Sequence, residues 1–204
     1  MADDPEVLAA VNRWVDAAFD GFRAQGFDPK RVVATTTEEL DGREASVRNF
    51  PTKLTDLLAA GMLHAAPEAE LAVFNGGSIR IDDVIPPGDV TEYDVIRTLP
   101  FGGTVVSADV TGSLLQRVLD RGKANAGTGG YLQTANVTRS PGGDQWLIAG
   151  VPLDPARRYK VAINGFLLTG REINLDPLTR ESPDVTNVAD HVDIRRALIA
   201  ELQR

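Results

Sequence analysis

The chain has no cysteine among its 204 residues, so a disulfide, a thiolate nucleophile and a thiolate metal site are all excluded. Histidine is almost as scarce, with only His64 and His191, each isolated in the sequence. Neither belongs to an HExxH, a DxH or a GNHE-like cluster, which argues against a histidine-rich zinc or dinuclear centre. No GxSxG elbow offers a serine nucleophile. Gly127-Thr128-Gly129-Gly130 lacks the lysine and the spacing of a phosphate-binding P-loop. No apolar run is long enough to span a bilayer. Basic charge is also in short supply: the net charge of -8 argues against a nucleic-acid polymer as partner, since phosphate backbones demand a basic face. A few clustered arginines could still hold a small anion.

What is present is an ordinary globular composition, 43% hydrophobic and 25% charged, on a chain long enough to bury a sizeable core. The length fits one domain with room for an appendage. The start, Met1-Ala2-Asp3-Asp4-Pro5, is acidic and has no apolar h-region. It reads as a cytoplasmic protein or as a piece of something longer.

Asp4 before Pro5 predicts a helix N-terminus, and Val7, Leu8, Val11, Trp14, Val15, Ala18, Phe19 and Phe22 follow at helical spacing. Asp3, Asp4 and Glu6 suit the positive end of the dipole, Arg23 the negative end, and Gly26 stops the helix after about six turns. So wide an apolar stripe needs something to dock on.

Arg31–Thr37 reads as a strand, Asp41-Gly42 as a hairpin-type turn, and Ser46-Val47-Arg48 as extended chain. A helix over 52–65 carries Leu54, Leu57, Leu58 and Met62 on one face. Thr91 and Asp94 have capping-box spacing ahead of a short helix that stops at Pro100. Thr104–Val110 is a strand, Thr111 caps the next helix, and Gly122 ends it. Tyr131–Thr138 and Gln145–Ile148 form a hairpin, and Tyr159–Asn164 reads as the last strand. Residues 166–181 are a structured loop, and Val188–Gln203 a closing helix. Interspersed helices and hairpins imply an α/β chain with a mixed sheet.

Within that frame one stretch stands out. The apolar strand Leu71-Ala72-Val73-Phe74 breaks into Asn75-Gly76-Gly77-Ser78-Ile79-Arg80, which brings a carboxamide, bare backbone N–H groups and a guanidinium to one sheet edge. The stretch reads either as an anion site or as a tight turn with Arg80 in a surface ion pair. Phe101, between Pro100 and Gly102, and Phe166, after Asn164-Gly165, are loop aromatics. They are either core residues or a pair of faces for stacking on a planar ring.

These residues together resemble the C-terminal domain of the 5′-nucleotidase family. The family signature Asn-Gly-Gly-x-Ile-Arg followed by Leu-Pro-Phe-Gly matches residues 75–80 and 99–102. Leu40-Asp41-Gly42-Arg43 ahead of Arg48, Gly129-Gly130-Tyr131-Leu132-Gln133 and Pro152-Leu153-Asp154-Pro155 to Tyr159 are similar as well.

The resemblance implies layered helices and mixed β-sheets over residues 31–204, with residues 1–30 forming a linker helix. It implies Phe101 and Phe166 as base-stacking rings, and Arg48, Asn75, Gly77 and Arg80 on the phosphate side. Glu172 would replace the aspartate of the family's Gly-Gly-Asp-Gly, here Gly170-Arg171-Glu172-Ile173. The family also implies an absent N-terminal metallophosphatase domain with two divalent metal ions, a nucleotide or related small phosphate ester as substrate, and a periplasmic, secreted or cell-surface location. The chain alone would have no catalytic residue, metal or cofactor. Two other expectations stand beside this one: a ligand-free structural domain, and a domain serving a different phosphate or sulfur ester.

Overall fold

The computed structural model describes residues 4–204; Asp3, assigned above to the helix dipole, lies outside them. Helix α1 (Pro5–Ala24) begins where proline and Asp4 dictate, with the Asp4 carboxylate accepting from the Glu6 N–H at 2.9 Å. Most of its apolar stripe docks on nothing among the described residues: no residue of α1 is buried, and Trp14 is 76% exposed. The helix is fastened at its C-terminal end. The Phe19 ring lies 5.4 Å from that of Tyr93, Phe22 packs on the core, and Phe27 is stacked by Arg195 and Arg196, each guanidinium 4.6 Å from the ring centre.

The chain continues through β1 (Val32–Thr36), β2 (Leu40–Asp41), α2 (Glu44–Val47), α3 (Lys53–Ala65), β3 (Leu71–Asn75), β4 (Val84–Ile85), β5 (Gly88–Thr91) and α4 (Glu92–Thr98). Then come β6 (Thr104–Thr111), α5 (Gly112–Ala124), β7 (Leu132–Ala135), β8 (Val137–Arg139), β9 (Trp146–Ile148) and β10 (Val151–Pro152). The last elements are β11 (Arg158–Asn164), β12 (Val185–Asp193) and α6 (Ile194–Leu202).

The central sheet has five strands in the order β12-β6-β11-β3-β7, and only β11–β3 is parallel. Because side chains alternate across a strand, this sheet splits the core in two. Ala72, Phe74, Val105 and Ala162 face α3, α4 and α6, where Leu58, Met62, Val95 and Leu198 meet them. Leu71, Val73, Val106, Val161 and Ile163 face α5, against Leu114, Leu115, Val118 and Leu119. Each of the larger side chains, valine and above, contributes about 1.5–3 kcal/mol on burial. The mixed α/β expectation holds.

Several local expectations do not. Asp41-Gly42 is not a hairpin turn, since β1 pairs with β5 and β2 with β4. Residues 46 and 47 are helical rather than extended, in the single turn α2. Gly122 lies inside α5, where a Cβ would fall 2.4 Å from the Leu132 side chain; it lets the helix approach β7 and does not stop α5. Strand β11 is followed by one more, because residues 185–193 pair with β6 before α6 begins. Val185, Val188 and Val192 sit at spacings of three and four, which mimic a helix. The ladder with β6 decides against it.

Topology places the functional segments. Parallel pairing aligns Ile163 with Val73, so the C-terminal ends of β3 and β11 emerge side by side. Antiparallel β6 opposes Asn164 with Val105, so the segment entering β6 arrives at the same edge. Three loops therefore meet there, after Asn75, before Thr104 and after Asn164.

Candidate functional site

A cavity of about 590 Å³ opens at this edge, lined on its polar side by Asn75, Ser78, Arg80, Asn164 and Glu172 and on its apolar side by Phe101 and Phe166. Both rings are available. Phe101 is 79% exposed and Phe166 44%, which removes the reading of either as a core residue.

Beneath the rings lies a network of buried amides. Asn75 donates from Nδ2 to Glu172 Oε2 at 2.6 Å and accepts at Oδ1 from Ser78 Oγ, also at 2.6 Å. Asn164 Nδ2 donates to Ser78 Oγ at 2.7 Å and to Asn75 Oδ1 at 3.3 Å, while its own Oδ1 accepts from the Phe166 N–H at 3.3 Å. That last bond caps the 3-10 turn Gly165–Leu168, which carries Phe166. Asn75 and Asn164 are 4% and 3% exposed, so each broken bond would leave a buried polar atom costing about 1–3 kcal/mol.

The Phe101 loop is shaped differently. Gly102 has φ +60° and Gly103 φ +121°, where L side chains are strained. A Cβ on Gly102 would lie 2.8 Å from the Arg195 guanidinium. Arg195 is itself pinned by a two-pronged pair to Asp193, at 2.9 and 2.8 Å. The Gly103 carbonyl accepts from the Ile194 N–H at 2.8 Å, which fixes the exit of the loop to the start of α6.

The expectation of bare backbone N–H groups at Asn75-Gly76-Gly77 is overturned. Gly76 N–H donates to the Tyr131 carbonyl at 2.7 Å and Gly77 N–H to that of Gly129 at 2.8 Å. The glycines are needed for close backbone packing: a Cβ on Gly77 would lie 2.9 Å from the Gly129 Cα. Gly77 lines the cavity without offering a free donor.

Arg80 faces the cavity 5.9 Å from the Phe101 ring centre, and its backbone N–H donates to the Thr98 carbonyl at 2.9 Å. Arg48 is not a lining residue. Its guanidinium pairs with the Glu44 carboxylate, to which Arg80 also comes within 3.5 Å. Gln133 holds the end of α2 and the turn after it: its Nε2 donates to the Val47 and Phe50 carbonyls at 2.8 and 2.9 Å. Beside them Asp41 accepts from Arg43 and from Ser46 Oγ. The Arg43 hydrogen bond, more than any other contact, lowers the Asp41 pKa to about 2.

The family profile described as "5′-nucleotidase, C-terminal domain" matches residues 32–174. The chain belongs to this family. Protein UshA of Yersinia enterocolitica is 36% identical over 175 residues, covering 83% of this chain and 30% of that protein. The trifunctional nucleotide phosphoesterase protein YfkN of Bacillus subtilis is 33% identical over 175 residues, covering 74% of this chain and 12% of that protein. Among solved structures, a 5′-nucleotidase precursor from Thermus thermophilus superposes with TM-score 0.77 at 27% identity, over 97% of this chain and 39% of that one. The chain thus spans under a third of these curated relatives.

In this 5′-nucleotidase C-terminal domain the loop departing from Gly-Gly-Asp-Gly is tied down by a residue that the sequence reading passed over. Asn125, at the end of α5, donates to the Gly130 and Ile173 carbonyls at 3.1 and 2.8 Å and accepts from Asn174 at 2.7 Å. It fixes the backbone beside Glu172. An asparagine just past a helical pattern is a signal for a helix end, and so for a fixed side chain. Asn164, directly before Gly165-Phe166, carries the equivalent signal for a cap.

The histidines stand apart from the site. His64 Nδ1 lies 2.5 Å from Glu201, and His191, in β12 rather than in a helix, lies 2.8 Å from Ser107 Oγ. Among the described residues no group of three or more His, Asp or Glu is placed to hold a metal ion, and no helix is long and apolar enough to cross a membrane.

Proposed function

We propose that this domain recognises the substrate of a 5′-nucleotidase-like phosphoester hydrolase. Phe101 and Phe166 take the planar base between them, Arg80 with Arg48 and Asn75 takes the phosphate side, and Glu172 faces the nucleoside. The observation that carries the reading is the pair of solvent-exposed rings on separate loops at the mouth of one cavity that also holds Arg80. Exposed phenylalanines gain from a stacking partner, at about 0.5–1.5 kcal/mol beyond area burial. A guanidinium is suited by its planar fork to a phosphate.

Bond cleavage in this reading belongs to a separate N-terminal metallophosphatase domain with two divalent metal ions, as the family resemblance implies. The domain's work is to hold and orient. The names of two relatives, a nucleotide phosphoesterase and a 5′-nucleotidase precursor, support a nucleotide as the ligand class and with it a role in nucleotide catabolism.

Calorimetric titration of this chain with adenosine and AMP tests the reading. Binding that weakens in both Phe101→Ala and Phe166→Ala, with folding intact, is the expected result. Affinity unchanged in both variants would overturn it and favour a purely structural domain.

A further inference from the structure

Glu44 is the one carboxylate placed between the two arginines assigned to the phosphate side, and nothing in the proposed recognition requires it. It begins α2, four residues before Arg48, so the one-turn helix sets both side chains on one face. A single oxygen, Oε1, faces the guanidinium of Arg48 and, at 3.5 Å, that of Arg80. The position is built: the Glu44 backbone N–H donates to the Asp82 carboxylate at 2.9 Å, from a residue at φ +45°, so a second loop holds Glu44 in place. The Glu44 side chain is about one-third exposed and Arg48 four-fifths covered, with the Arg48 Nε buried and without a hydrogen-bond partner. The arginine pair is therefore pre-arranged around an anion that the chain supplies itself.

Resting on the phosphate-side assignment, we propose that Glu44 is an internal counter-anion: it competes with the ligand's phosphate for Arg48 and Arg80 and makes the site select against highly charged ligands. With Glu44 present the two guanidiniums offer a net single positive charge; without it they offer two. A bound phosphate a few ångströms from Glu44 is repelled, and the repulsion grows with the charge on the ligand. The site then favours phosphomonoesters over di- and triphosphates of the same nucleoside. At surface dielectric values, removing one such charge corresponds to roughly tenfold in affinity.

The test is calorimetric titration of the wild-type chain and Glu44→Gln with adenosine, AMP and ADP, at one low salt concentration. Glutamine preserves the length of the side chain, and a thermal melt of each variant verifies folding. The expected result is unchanged adenosine affinity, AMP bound about tenfold tighter, and a larger gain for ADP. Glu44→Ala, which also removes any residual hydrogen bond, gives the same order. AMP affinity that is unchanged or weaker in both variants overturns the proposal and makes Glu44 a support for the arginines. An equal gain for all three ligands overturns it as well. If the wild-type chain binds adenosine but Glu44→Gln leaves the AMP-to-adenosine ratio alone, the counter-anion falls and the recognition site stands. If neither adenosine nor AMP binds the wild type, the recognition reading itself falls, and the proposal with it.

Discussion

The two ends of the cavity are made of different materials. The end that carries the aromatic rings is held mainly by neutral groups: buried amides around Asn75 and Asn164, with the Glu172 carboxylate as one acceptor, and glycines in left-handed backbone at 102 and 103. The end that carries Arg80, with Arg48 behind it, is held by partly exposed ion pairs, through Glu44 and through Asp41 with Arg43. Buried amides are strong because leaving them unpaired is costly, and they respond little to salt. Exposed ion pairs contribute little stability, are screened by salt and titrate. The molecule thus fixes the position of its rings rigidly and leaves the strength of its anion site adjustable.

Breaking the neutral end should give the largest effects. Asn164→Ala leaves the Phe166 N–H without its acceptor and takes from Ser78 Oγ and Asn75 Oδ1 one partner each, and is expected to lower unfolding free energy by about 3 kcal/mol in urea denaturation. It should also release the ring turn. Gly102→Ala comes next: left-handed φ and a contact with Arg195 are expected to cost about 1–3 kcal/mol. Its urea midpoint should fall, and adenosine affinity with it. Phe101→Ala should separate binding from folding, with about 1 kcal/mol lost from adenosine binding and a melting temperature near that of the wild type, since the ring is already solvated.

The charged end should respond to solution conditions instead. Raising sodium chloride should weaken AMP binding while adenosine binding holds, read by the same titrations. The smallest effect concerns Asp41. Its pKa is depressed in the folded chain, so its pairing with Arg43 and Ser46 stabilises the fold above the ordinary carboxylate pKa. That contribution is lost as pH falls through about 2. Asp41→Asn should flatten this part of an acid-unfolding curve and lower the melting temperature slightly at neutral pH, where the pairing is intact but screened by the exposure of Arg43.

The same contrast explains how much was legible in the sequence. Local chemistry announced itself: the Thr91–Asp94 capping box is present at both hydrogen bonds, Thr111 caps α5, and Leu71–Asn75 is a fully buried strand. The exposed rings were visible as phenylalanines beside glycine and proline. Long-range pairing was not visible. Val185–Asp193 has a valine spacing that suits a helix, and only its partner β6, some 80 residues earlier, makes it a strand. The N–H groups of Gly76 and Gly77 look free in the sequence, but their acceptors lie more than 50 residues away at Tyr131 and Gly129. Glu44 was missed because residues 46–48 were read as extended, which hides the i, i+4 relation with Arg48.

Phe27 gives one mechanical consequence. It follows directly on α1, and its ring is gripped by Arg195, whose guanidinium also underlies Gly102 beside Phe101. The twenty-residue helix α1 has no buried residue and is held only near its C-terminal end, by Phe19 and Phe22 and by the Phe27 joint that follows. The attachment of that helix and the loop that carries Phe101 therefore share one residue, Arg195.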